Sequence, residues 1–148
     1  MQIAGTEQFA ASADRVREAL SDLDTLARAS PGLDSVERND GTTLECRINP
    51  SLSFISGALR TTVTRTSDEA GDEVAYSISS KGIGGGATVT ATFRCSADRG
   101  GGGCSGEWRA EVVERTGLLK PVGDSVIEST MGSVVERTWA RFRSQLVA

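Results

Sequence analysis

The sequence predicts an α+β domain: a curved antiparallel sheet of six to seven strands, two short helices after the first strand, and a long C-terminal helix over the sheet. Three observations lead there. Apolar and polar residues alternate with period two through most of the middle of the chain, which is the signature of half-buried strands. The stretches between them, Asn39-Asp40-Gly41, Asp68 to Asp72 and Arg99 to Gly103, carry the turn chemistry of antiparallel connections. The final segment switches to helical spacing and is the largest element available to cover an apolar sheet face.

Taken in order, "MQIAGTEQFA" places Ile3 and Phe9 on one face of a first strand. Ser12 is a suitable N-cap for a helix in "SADRVREALSD", whose apolar stripe is Val16, Ala19 and Leu20. A second short helix, Leu23 to Ala29, stops before the breaker pair Pro31-Gly32. Strands then follow one another. "TTLECRI" puts Leu44, Cys46 and Ile48 on one side, "GALRTTVTRT" puts Leu59, Thr61 and Val63 there, and "EVAYSISSK" puts Val74, Tyr76 and Ile78 there. The fullest alternations are Ala87, Val89, Ala91, Phe93, Cys95 and then Cys104, Gly106, Trp108, Ala110, Val112. From about Pro121 to Val147 the spacing of Ile127, Met131, Val134/Val135, Thr138/Trp139, Phe142 and Leu146 predicts one amphipathic helix, with Pro121 suited to its first turn. No internal repeat or linker divides the chain, so residues 1–148 are expected to form one domain.

Composition narrows the function. A net charge of -4 offers no field for a polyanion, so nucleic acid is not expected as a partner. No apolar run reaches the ~20 residues of a membrane span and no export signal opens the chain, so the expected location is the cytoplasm. Cys46, Cys95 and Cys104 are an odd number at spacings unlike a zinc or haem motif, and there is no histidine. Ser-His and Cys-His nucleophile pairs are thereby excluded, as are most transition-metal sites, and neither metal nor other cofactor is expected. Gly82, Gly84 and Ala87 fit the outline G-x-G-x-x-A, yet "ATVTATFRC" after them has the period of a strand, not the helix that a dinucleotide phosphate requires. The glycine run is therefore read as a hairpin turn or bulge, one that could gate a cavity from its rim.

The inward positions are small in the middle of the sheet: Ala87, Ala91, Cys95, Cys104, Gly106 and Ala110, with only Phe93 and Trp108 large. Interiors pack at crystal-like density, so either the terminal helix sits close to these strands or a void remains for an apolar ligand. The candidate lining is Leu59, Val63, Tyr76, Ile78, Val89, Phe93 and Trp108 from the sheet and Ile127, Met131, Val134 and Thr138 from the helix. Tyr76 and Trp108 could each offer a hydrogen bond to a ligand oxygen, or simply pack in the core with that bond satisfied. If "SADRGGGG" forms a hairpin end, Cys95 and Cys104 face the same side near enough for a disulfide, although a reducing compartment favours two buried thiols. Glu7 shares a face with Ile3 and Phe9, which would aim a carboxylate inward; a bulge or the sheet rim accounts for it equally. Glu128, Glu136, Arg137, Arg141 and Arg143 read mostly as a solvated helix face.

Several stretches together resemble the carbon monoxide dehydrogenase G-subunit family, within the START/Bet v 1-like (polyketide cyclase and lipid-transfer, SRPBCC) superfamily. They are the opening "MQIAGTEQFAASADRVREALSDLDTLARASPGL", the strand "GGGATVTATF" and the terminal "MGSVVERTWARFRSQL". The helix start "ASADRV" departs from a frequent Ala-Pro pair, and Arg17 stands where an aromatic is common. Some relatives continue into a linker and an apolar tail; the sequence here stops at Ala148. The resemblance implies a helix-grip fold with a cavity for a lipid or quinone-like molecule. It also implies association with a membrane-linked redox enzyme complex and peripheral contact with the inner face of the membrane. Two other functions stay open: a cyclase- or hydratase-type enzyme using Glu7, Tyr76 or an inward Asp, and an assembly or recruitment factor without ligand.

Overall fold

The computed structural model describes residues 1–49, 57–67, 73–97 and 102–146. In chain order the elements are β1 (Gln2–Phe9), α1 (Ala13–Ser21), α2 (Leu23–Ala29), β2 (Leu33–Asn39), β3 (Thr43–Ile48), β4 (Leu59–Arg65), β5 (Glu73–Gly82), β6 (Gly85–Ala97), β7 (Cys104–Gly117) and α3 (Asp124–Leu146). The seven strands make one curved antiparallel sheet in the order β1-β7-β6-β5-β4-β3-β2. β2 to β7 pair in sequence order, and β1 closes on β7 from the far side. The turns expected over 68–72 and 99–103, and the helix end at Val147, lie wholly or partly outside the described residues.

Local chemistry explains the boundaries. The Ser12 hydroxyl accepts from the Arg15 N–H and caps α1. The Asp22 carboxylate accepts from the Asp24 N–H and starts α2 directly after α1. In the β2–β3 turn one Asp40 carboxylate oxygen accepts from the N–H groups of both Thr42 and Thr43, 3.0 and 2.8 Å away. Those bonds, with Arg38 beside it, hold Asp40 below its ordinary pKa. The glycine run is a hairpin: Gly82 pairs with Gly85 across the Ile83-Gly84 turn, and Gly85 takes φ +144°.

Three findings add to or correct the sequence reading. The last helix begins at Asp124 instead of Pro121. Residues 118–121 form consecutive turns, with Lys120 N–H donating to Gly117 O and Val122 N–H to Leu119 O, and Pro121 fits among them. Arg115 joins this turn to the helix by donating to Val122 O and to Asp124 Oδ1. Second, β2 lacks the alternation that marks its neighbours. It is an edge strand, exposed from Asp34 onward and broken by two register shifts against β3, so no apolar face is imprinted on its sequence. Third, α3 does not cover the sheet alone. Val16, Ala19, Leu20, Leu23, Ala27 and Ala29 of α1 and α2 are buried in the same core cluster as Phe142. Gln145 ties α2 to α3 by donating to Thr25 O and accepting from Arg28 Nε.

Candidate functional site

Strand register puts every strand residue expected to line an interior on one face. Leu44, Val63, Ile78, Val89 and Val112 form one cross-strand row, and Val74, Phe93, Trp108 and Gly5 form another. Tyr76 shares its row with Ala91, Ala110 and Ile3, while Leu59 stands two residues from Thr61 on the same side. Ile127, Met131, Val134 and Thr138 follow one another along one side of α3 by their spacing.

These residues do not merge into one core. At one end Phe9, Phe93, Trp139 and Phe142 pack ring against ring, with centroids 5.3 to 6.1 Å apart, mostly edge to face and with Phe93 and Trp139 tilted at 44°, together with α1 and α2. At the other end a smaller cluster joins Leu59, Leu119 and Ile127, with Met131, Ala87 and Val112 against it. Val89, Val134 and Val135 belong to neither cluster and stay partly exposed, as do Ile78, Ala91 and Thr138 near them. Of the whole length of α3 only Ile127 and Phe142 are buried.

Part of the room expected over the small residues is filled. A Cβ on Gly106 would lie 2.1 Å from Phe93 Cζ, because the Phe93 ring lies over that glycine. A Cβ on Gly5 would lie 2.7 Å from Trp108 Cζ2, so the indole covers Gly5 in the same way. Cys95 and Cys104 are buried as free thiols, their sulfurs 3.2 Å apart. Burial, with the hydrogen bond to Cys104 adding, pushes the Cys95 thiol up to about 12. The small residues left over the middle of the sheet are Ala87, Ala91 and the buried Ala110 opposite Ala91, beside Ile78 and Val89.

The polar groups on this face are mostly committed. Tyr76 donates its hydroxyl hydrogen to Leu20 O, and burial raises its pKa. Thr138 donates to Val134 O one helical turn back. Thr61 and Ser80 share a hydrogen bond of 3.0 Å; Ser80 carries no apolar signal by which sequence could have marked it. Trp108 Nε1 is buried and, among the described residues, has no hydrogen-bond partner. Glu7 does point to the inner face, opposite Gly106, but Arg143 Nη2 meets its Oε1 at 2.8 Å. Arg143 also donates to Gln8 O and lies over the Phe9 ring at 5.0 Å, so it is a clamp between α3 and β1 instead of part of a solvated face. Among the described residues no group of three metal-ligating side chains gathers, and no helix is long and apolar enough to cross a membrane.

The family model for the carbon monoxide dehydrogenase G-subunit (CoxG) matches residues 5–147. The chain belongs to that family. Among curated protein sequences none matches it. Its fold recurs in solved structures at low sequence identity. A conserved protein from Geobacillus kaustophilus has a TM-score of 0.88 at 10% identity, over 99% of this chain and 95% of that one. A START superfamily protein from Mycobacterium smegmatis has a TM-score of 0.67 at 16% identity, over 98% and 96%. The Zhui aromatase/cyclase from Streptomyces sp. R1128 has a TM-score of 0.65 at 18% identity, over 99% and 90%. The fold of this CoxG-family chain is therefore the START-like helix-grip arrangement of sheet and terminal helix.

Proposed function

We propose that this CoxG-family chain binds a hydrophobic small molecule, lipid or quinone-like, between α3 and the middle of the sheet, and that it acts as a carrier. The observation that carries the reading is the exposure of side chains that ought to be core. Ile78, Val89 and Ala91 face inward from central strands, and Met131, Val134 and Thr138 follow the same side of the covering helix, yet all six keep partial exposure. A close-packed interior would bury them. An apolar lining with few free polar groups is what a greasy ligand needs. Leu59, Val63, Phe93, Trp108 and Ile127 then frame the chamber at its ends, with Tyr76 holding the α1 side.

A carrier also fits the chemistry better than a catalyst. Glu7 is the one carboxylate that register puts on the inner face among the described strands, and it is held in an ion pair. Tyr76 has its proton committed to Leu20 O. Family membership makes a redox enzyme complex the partner to test, with the ligand handed to or from it.

Two measurements test this. Solvent extraction of the purified protein followed by mass spectrometry should yield a stoichiometric apolar compound, and a fluorescent apolar probe should bind the emptied protein. Filling the chamber with Ala91→Phe should abolish probe binding while thermal stability holds. A solid interior would instead lose about 1–3 kcal/mol on overpacking, and that loss, with no probe bound by the parent chain, would sink the reading.

A further inference from the structure

The outer face of the sheet carries a second feature, unrelated to the interior. Arg47, Arg60 and Lys81 occupy directly paired positions on β3, β4 and β5, three cations side by side. Like charges placed directly opposite each other on a sheet repel. Glu37 answers Arg47 at 2.5 Å, whereas Arg60 and Lys81 have no carboxylate partner among the described residues. The three cations line a groove of about 370 Å³ together with Ala58, Gly82 and Ile83. Ile83 is fully exposed at the tip of the β5–β6 hairpin. Leu118, 65% exposed, is held beside that tip by its N–H, which donates to Gly84 O at 2.7 Å. These are the two most exposed large apolar side chains among the described residues. They stand at the same corner as a local excess of positive charge on a chain of net charge -4.

We propose that this corner docks on an anionic lipid surface. Ile83 and Leu118 enter the interfacial region, and Arg47, Arg60 and Lys81 meet the lipid phosphates behind them. A lone cationic row suits any anion, and a lone apolar tip suits any greasy surface. An interface that is apolar in depth and negative at its rim satisfies both together, and the repulsion within the row is relieved on contact. The acidity of the rest of the molecule orients this corner toward the surface. Docking does not depend on the interior being occupied, so it stands or falls apart from the carrier reading.

The test is co-sedimentation with phosphatidylcholine vesicles made with and without phosphatidylglycerol. The chain should bind only the anionic vesicles and come off as sodium chloride rises. Arg60→Gln and Lys81→Gln should each weaken binding about fivefold, and Ile83→Ser about tenfold, all at exposed positions where circular dichroism should be unchanged. An environment-sensitive fluorophore on Ile83→Cys, the native thiols being buried, should shift to shorter wavelength on the anionic vesicles. Failure of the parent chain to bind them, binding by the variants equal to the parent, or an unshifted fluorophore overturns the proposal. Release by inorganic phosphate where equal ionic strength of sodium chloride releases nothing also overturns it, making the row a free-anion site.

Discussion

Gly106 and Gly132 make opposite predictions from the same substitution. Gly106→Ala forces a methyl into the Phe93 ring, which is itself wedged among Phe9 and Trp139, and should lower the urea midpoint by the equivalent of about 1–3 kcal/mol. Gly132→Ala meets nothing within 4 Å on α3 and should raise stability by about 0.5–1 kcal/mol, since only the helix propensity changes. The three thiols should resist a thiol reagent at neutral pH and react fully once the chain is denatured. Alkaline pH gives a further reading of Cys95. Its folded pKa is raised to about 12 from an ordinary 9.0. The unfolded chain therefore loses that proton first, so the stability it contributes is intact below pH 9.0 and drains away as pH climbs toward about 12. Denaturant titrations across that window should show a shallower decline for Cys95→Ala. Alternation in the sequence told which side Gly106, Cys95 and Phe93 face. It could not tell that the Phe93 ring turns onto Gly106, because ring direction is set by Phe9 and Trp139, which arrive from elements far along the chain.

Among the elements, α3 is anchored at its ends and loosely covered between them. Phe142→Ala should cost about 3–5 kcal/mol, the usual loss on emptying a buried aromatic site. Val134→Ala, at a partly exposed position outside both clusters, should cost under about 1 kcal/mol. Thermal melts of the two variants side by side check the division; equal losses would mean that the helix is seated along its whole length. α1 and α2 were legible to within a residue because Ser12 and Asp22 are capping residues and Pro31 is a stop. The start of α3 was not, since Pro121 serves a turn as readily as a helix N-terminus. β2 is hidden in the sequence for a physical reason as well: Ser35, Val36, Glu37 and Arg38 are all exposed, so burial wrote no pattern there.

For the whole molecule, the order of periods along the chain was enough to give the sheet and its terminal helix, and the resemblance of three stretches gave the family. What sequence could not give is anything that register creates. Arg47, Arg60 and Lys81 lie apart in the chain and become neighbours only when β3, β4 and β5 pair. Likewise the split of the apolar residues into a large aromatic cluster and a small aliphatic one depends on where α3 touches the sheet. That split has a kinetic consequence. Among the described residues the Leu59–Leu119–Ile127 end is closed by three buried side chains, so transient parting there is a less demanding way into the interior than prising open the aromatic end. Residence time of any guest should then follow the bulk of residue 119: Leu119→Ala quickens exchange at both entry and exit, and its equilibrium occupancy changes far less.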